Sequence, residues 1–416
     1  MRKIILIIFL GLEVYSLFGK DIEVCATCTY STIHAGVEAA NSGDKVIVQA
    51  GLYKEHNINI TQPIDLLAQG EVIVDGENTE TIFRFSVDSF SIDGFTIINV
   101  GHSFTKEFAG ILVHRSEHFT IKNNTLREVF FGILIEKSKY GIIENNKVFG
   151  NGKEEADSGN GVHIWHSSHM KVRGNQLTQL RDGIYFEFVT KSKISDNLSF
   201  GNIRYGLHFM FSNHDEYFDN TFRNNGAGVA VMFSKRINMR HNTFKDNWGA
   251  ASYGLLLKET YDAEIIGNHF IRNTTGVTAE GSTRINYKNN NFDNNGWAVK
   301  VTGACYLNIF IHNNFTNNSF DLSYNGQLNN NKFENNYWSA YTGYDLDKNG
   351  IGDVAFRPVK LFSYIVNKTP ETIVLLRSLF VDVINFSEKV SPVFTPDKLK
   401  DERPAMKPFR NDEQID

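Results

Sequence analysis

Residues 204–225 read RYGLHFMFSNHDEYFDNTFRNN. A glycine opens a short alternating strand and an Asn-x-apolar step follows. The same unit recurs about every 22 residues, with glycines at Gly110, Gly132, Gly161, Gly183, Gly206, Gly228, Gly254 and Gly276. Asparagines at Asn124, Asn146, Asn175, Asn197, Asn220, Asn242, Asn268 and Asn290 keep step with them. Leu207, Phe209, Tyr217 and Phe222 take the inward positions of the quoted unit, and Asn220 stands at a bend. Ile121, Ile143, Val172, Ile194, Tyr217, Met239, Ile265 and Tyr287 each precede an asparagine by three residues. A repeat of this length without helical periodicity, rich in asparagine at its corners, is one coil of a parallel β-helix.

Burying the few apolar side chains of one coil cannot offset the entropy of ordering its 22 residues, so a lone coil is unfolded. Stacking adds a parallel ladder of backbone hydrogen bonds and lets asparagine amides bond from coil to coil. Proline is scarce for the same reason. Only Pro63 precedes residue 358, because each ring deletes a ladder donor.

The 416 residues are therefore expected to form one elongated body. A net charge of -5 without a long basic run argues against nucleic acid as a partner. Arg2 and Lys3 precede an apolar run at 4–12, and Ser16 and Gly19 follow, which is the layout of an export signal over residues 1–19, with a retained anchor as the alternative. The mature chain is expected in a periplasm. There Cys25 and Cys28 read as a disulfide at a solenoid cap, with a soft-metal clamp as the alternative, and Cys305 stands alone.

After the signal, residues 32–41 suit a capping helix, and 45–49 and 71–75 suit the first strands. The β-helix runs over 20–335, with its regular coils from residue 80. Two coils carry inserts, at 152–158 and 248–253, and inserts in solenoids gather on one face, often the binding face. Residues 336–362 form a terminal coil with an Asp-rich loop, and 363–416 a helix plus extended tail. The helix is expected over 369–386, with Thr369 as N-cap and Pro370 at its first position. Ile373, Leu376, Leu379, Phe380, Val383 and Ile384 give it an apolar stripe, which caps the last coil or docks on a membrane partner.

Strand alternation puts the residues two and four after each glycine outward, in columns. The first column is His163, Tyr185, His208, Ala230, Leu256; the second is His114, Glu136, Trp165, Glu187, Met210, Met232, Lys258, Glu280. Of these, Trp165, Tyr185, Glu187, His208, Met210, Met232 and Lys258 form the expected binding surface. Imidazole and thioether together suit copper, particularly Cu(I), so His163, His166, His208, Met210 and Met232 are the candidate ligands, with His169, Met170 and His214 at nearby corners. The alternative is a set of scattered surface side chains. In the loop, Asp345, Asp347, Asn349 and Asp353 sit at positions 1, 3, 5 and 9 of a calcium-loop pattern whose position 12 is Phe356, so a structural calcium competes with a metal-free Asx turn. No carboxylate pair suited to glycosidic chemistry emerges, since Glu136 and Glu187 fall two coils, ~10 Å, apart with Trp165 between them. A non-catalytic protein is expected, with a carbohydrate-binding or polysaccharide-cleaving β-helix as the alternative.

The segments GNGVHIW (159–165), RDGIYFEFV (181–189), RYGLHFMFS (204–212), GAGVAVMFS (226–234), YGLLLKE (253–259), NNGWAVKVTG (294–303) and NYWSAYTGYDLDKNGIGDVAFRPVKLF (336–362) resemble the NosD family. The resemblance spans essentially the whole mature chain, and its last segment is the most specific. It implies a right-handed parallel β-helix in the periplasm, without enzymatic activity of its own. It further implies work with an ABC transporter, an ATPase plus a membrane subunit, in building the copper-sulfur centre of nitrous-oxide reductase. A copper chaperone and the reductase are the further partners it implies.

Overall fold

The computed structural model describes residues 19–103, 106–325, 330–390 and 399–410. The expected export signal and most of the proline-bearing stretch after Ser391 lie outside these residues. The described chain is a parallel β solenoid. Its glycine-led strands stack into a 12-stranded sheet, and the two short strands on the other sides of each coil belong to a 25-stranded sheet. Successive coils pair in register, so Phe222 lies beside Phe244, Phe244 beside Phe270 and Phe270 beside Phe292.

Two features explain why this sequence stacks. The first is asparagine chemistry. Each ladder asparagine donates its amide to the next coil's amide oxygen, as in Asn197 Nδ2 to Asn220 Oδ1 (2.9 Å) and Asn220 Nδ2 to Asn242 Oδ1 (2.9 Å). The same oxygen accepts the backbone N–H of the coil before it. Donor and acceptor on one short side chain let every buried amide be satisfied. A second ladder, Asn202, Asn225, Asn247, Asn273, Asn295 and Asn318, runs five residues further along each coil. The second feature is aromatic stacking: Phe222, Phe244, Phe270, Phe292, Phe315 and Trp338 form one continuous buried pile with ring centroids 4.1–5.6 Å apart.

Glycine opens the strands because neighbouring backbone comes too close for a side chain. A Cβ at Gly183 would lie 2.1 Å from Ser199 Oγ and 2.7 Å from the Gly206 carbonyl oxygen. Cys305 occupies a corner where other coils place serine. It accepts from Ser282 N–H just as Ser234 Oγ accepts from Ser212 N–H.

At the N-terminal end, α1 (Ile33–Ala39) buries Ile33 and Val37 over the first coil, capped by the Thr32 hydroxyl, and Cys25 and Cys28 are disulfide-bonded beside it. The C-terminal end departs from expectation. In place of one helix over 369–386 there are α2 (Leu361–Lys368), a 3-10 turn (Pro370–Leu375) and α3 (Leu379–Val390). Thr369 precedes a proline and takes non-helical φ/ψ (-138°, 83°), ending α2, and Arg377 at φ 77° separates the 3-10 turn from α3. Phe362, Val366 and Val381 pack with Trp297 and Phe320 on the flank of the solenoid. The tail closes the open end. Asp401, fully buried, accepts from Asn335 N, Asn336 N, Asn336 Nδ2 and Trp338 Nε1, taking the place of a further ladder asparagine.

Candidate functional site

The register of the glycine-led sheet lines up both outward columns. His163 pairs with Tyr185 and Tyr185 with His208; Trp165 pairs with Glu187, Glu187 with Met210, Met210 with Met232, and Met232 with Lys258. The two columns have different surroundings. The first leaves the barrel yet is covered, with His163 7% and His208 4% exposed. The surface expected there is a second, outer layer of packing.

Both inserts contribute to that layer. Glu155 of the first bonds Arg204 (3.1 Å), and Tyr253 at the end of the second lies 6.4 Å, ring to ring, from Tyr205. Phe131 lies 5.7 Å from His163. Beneath this cover is a polar cluster. Asp182 Oδ1 accepts Tyr205 N–H (3.2 Å), and Asp182 Oδ2 lies 3.5 Å from His208 Nδ1 and 4.0 Å from Arg181 Nε. The 3.5 Å contact is in ion-pair range but too poorly placed for a hydrogen bond. Tyr185 stands between the two imidazoles, 4.7 Å from His163 and 4.8 Å from His208. Burial, helped by the Arg181 charge, holds the His163 imidazole down to about 4, so it is neutral at ordinary pH. Burial and then the Glu187 charge push the Tyr185 phenol up. Burial, with Glu136 and Glu187 nearby, raises the carboxyl of Glu107.

The arrangement decides which expected copper ligands can act together. His163 and His208 sit two coil rises apart, ~10 Å, on opposite faces of Tyr185, and cannot close on one ion. No group of three His, Cys, Asp or Glu side chains converges among the described residues. Met170, expected at a corner, is core. Met210 and Met232 are direct register partners on the half-exposed second column, and the Tyr185 hydroxyl lies 3.7 Å from Met210 Sδ. In the 345–353 loop, Asp345 accepts from Asn349 N and Gly350 N, Asp353 from Leu346 N, and Asn349 from Ile351 N. The last of these is an Asx turn, and all four satisfy the loop's own backbone.

Beside the second column lies a feature that the alternation argument missed. The residue five after each glycine turns the corner in the left-handed region, and in three successive coils it is phenylalanine: Phe188 (φ 54°), Phe211 (51°) and Phe233 (53°), preceded by His166 (46°). The four rings stack at 4.6, 5.1 and 5.2 Å, and the phenylalanines are 37–40% exposed. Bulky residues are rarely found in this conformation. Trp165, His166, Phe188, Met210, Phe211, Met232 and Phe233 together make a contiguous aromatic and thioether wall. Glu187 and Lys258 are charged members of its column, with Glu136 and Glu280 one coil beyond at either end. Tyr185, also expected on the surface, lies partly beneath the outer layer.

A family model described as periplasmic copper-binding protein (NosD) matches residues 152–343, and one described as right handed beta helix region matches 25–177 and 56–218. The solenoid is therefore a right-handed β-helix. Two curated relatives, from Pseudomonas aeruginosa and Stutzerimonas stutzeri, each bear the name probable ABC transporter binding protein NosD. They are 32% and 31% identical over 72 residues, which is 17% of this chain and 17% and 16% of theirs. The match thus spans about one sixth of the relatives' length. Among solved structures, a family 28 exopolygalacturonase from Yersinia enterocolitica superposes with a TM-score of 0.54 (11% identity, 76% of this chain, 78% of that one). The periplasmic alginate epimerase AlgG follows at 0.51 (12% identity, 70% and 76%). At these identities the likeness is one of fold alone.

Proposed function

We propose that this chain is a NosD-type, periplasmic, non-catalytic accessory protein of an ABC transporter complex, needed to assemble the copper-sulfur centre of nitrous-oxide reductase. The observation that carries the reading is the span of the family match. Residues 152–343 contain both inserts, the covered His–Asp–Tyr cluster and the whole aromatic wall. The relatives' names supply the transporter. In this reading the buried cluster fixes the outer layer, and the wall receives partners: the membrane subunit with its ATPase, a copper chaperone, and the reductase. Exposed aromatic and methionine side chains suit such docking, because they bury large area at little rotamer cost. A strain lacking the gene should make reductase protein without its copper-sulfur centre. A normal centre in that strain would end the reading.

Copper enters as cargo. The thioethers of Met210 and Met232 would take it as Cu(I), a soft ion for soft donors. His166, His208 and the neutral His163 remain separate donors, since the geometry keeps them from sharing an ion. Calcium at Asp345, Asp347, Asn349 and Asp353 belongs to the same proposal. A rise in melting temperature with Ca²⁺ that Asp353→Asn removes would support it, and identical melting in Ca²⁺ and in chelator would remove it.

A second reading, carbohydrate binding or cleavage, is favoured by one observation: the Asp182–His208 pair beside Arg181 and Tyr205 has the composition of an acid/base site. Cleavage of a polysaccharide that disappears in Asp182→Asn while the fold persists would support this reading over the first.

A further inference from the structure

The C-terminal hairpin, residues 361–390, buries one side and presents the other. On α3, Val381 packs with Phe362, Val366, Trp297 and Phe320. On the opposite side Leu379, Phe380, Val383 and Phe386 follow the i, i+1, i+4, i+7 spacing of one helical face and are 79%, 56%, 57% and 69% exposed. The adjoining 3-10 turn adds Val374 at 82%. So concentrated an apolar surface on a helix anchored by Val381 marks an interaction site.

The surroundings of this crest identify the partner. At its foot lies a groove of about 830 Å³, bounded by Asn385 and Glu388 of α3, the aromatic rings Tyr341 and Phe356, and three cations, Arg357, Lys360 and Lys400, the last also paired with Glu402 at 2.9 Å. Its walls come largely from 340–360, within the segment most specific to the resemblance and otherwise without a role. Cations beneath a bulky aliphatic and aromatic crest match the two depths of a membrane interface, phosphate outside and acyl chain within. No described helix is long and apolar enough to cross a bilayer. We infer that the hairpin is a peripheral membrane-binding element. It beds Val374, Leu379, Phe380, Val383 and Phe386 into the bilayer surface and receives the phosphate of an anionic phospholipid at Arg357, Lys360 and Lys400. The inference does not depend on the proposed function, because it needs neither transporter nor reductase.

The test is co-sedimentation of the exported chain with vesicles of phosphatidylethanolamine and phosphatidylglycerol, against vesicles of phosphatidylcholine. The wild type is expected to partition to the anionic vesicles, and Phe380→Ser/Phe386→Ser to weaken binding by about tenfold or more with unchanged melting, since both rings are exposed. Lys360→Gln/Lys400→Gln should remove the preference for anionic lipid and flatten the salt dependence. Absence of wild-type binding, or equal binding by the Phe380/Phe386 variant, overturns the inference. So does capture by the detergent-purified membrane subunit without any binding to vesicles, which assigns the crest to a protein.

Discussion

A few side chains depart from what the repeat asks for, and each has a measurable consequence. Phe211 sits at φ 51°, where a non-glycine residue costs about 1–2 kcal/mol, and more than a third of the side chain stays in water. Every coil turns this corner in the same conformation, so it is the choice of a half-exposed phenylalanine there, where other coils place Arg115, Lys137 or Glu259, that points to function. Phe211→Asn should therefore leave melting unchanged or raise it, while reductase maturation falls; a loss of stability matching the loss of function would assign the ring a structural role. Two buried groups should act on stability with opposite signs. His163 is held down to about 4 from 6.5, so only the unfolded chain takes up its proton in that window, and stability is lost as pH falls from 6.5 to 4. The drop is about 3 kcal/mol and should be absent in His163→Gln. Burial raises Asp321 from 3.8 to about 6, so its contribution is present below 3.8 and lost as pH rises to 6. Asp321→Asn should stabilise the protein by about 3 kcal/mol at pH 7 and by nothing near pH 4. Urea melts across pH check both.

The asparagine ladder shows how far an element is readable before its structure is known. The 22-residue spacing and the Asn-x-apolar step were enough to place strands, corners and outward columns, because a period-two strand leaves each side chain only two directions. The second ladder went unread, although its asparagines stand five residues on from the first, as Asn225 does after Asn220. The cover over His163 and His208 was not legible, because alternation says which way a side chain leaves the barrel and nothing of what an insert later lays over it. The tail was opaque for a related reason. Asp401 acts through a contact more than 60 residues away in the chain, and no local pattern announces it. Asp401→Leu should strand several buried N–H donors, each costing about 1–3 kcal/mol, whereas Asp401→Asn keeps two acceptor lone pairs and should cost less. Amide exchange in the last coil, residues 330–338, is the readout; slow exchange in Asp401→Leu would show that the tail does not close the solenoid.

At the scale of the molecule, the solenoid is a rigid rod with a different task at each place. α1 and the tail around Asp401 close its two ends, the inserts roof one side, and the aromatic wall stands beside that roof. The C-terminal hairpin projects an apolar crest from the flank. Contacts in such a body are mostly between adjacent coils, so a surface change on the wall should leave the stack intact. That separation makes the central claim testable without unfolding the protein. The measurement is the copper content of nitrous-oxide reductase purified from cells whose only copy of this chain carries Phe188→Ser, Phe211→Ser and Phe233→Ser. The account predicts a variant that is exported, abundant and melts as the wild type does, alongside reductase depleted of its copper-sulfur centre. Reductase with its full complement of copper would contradict it.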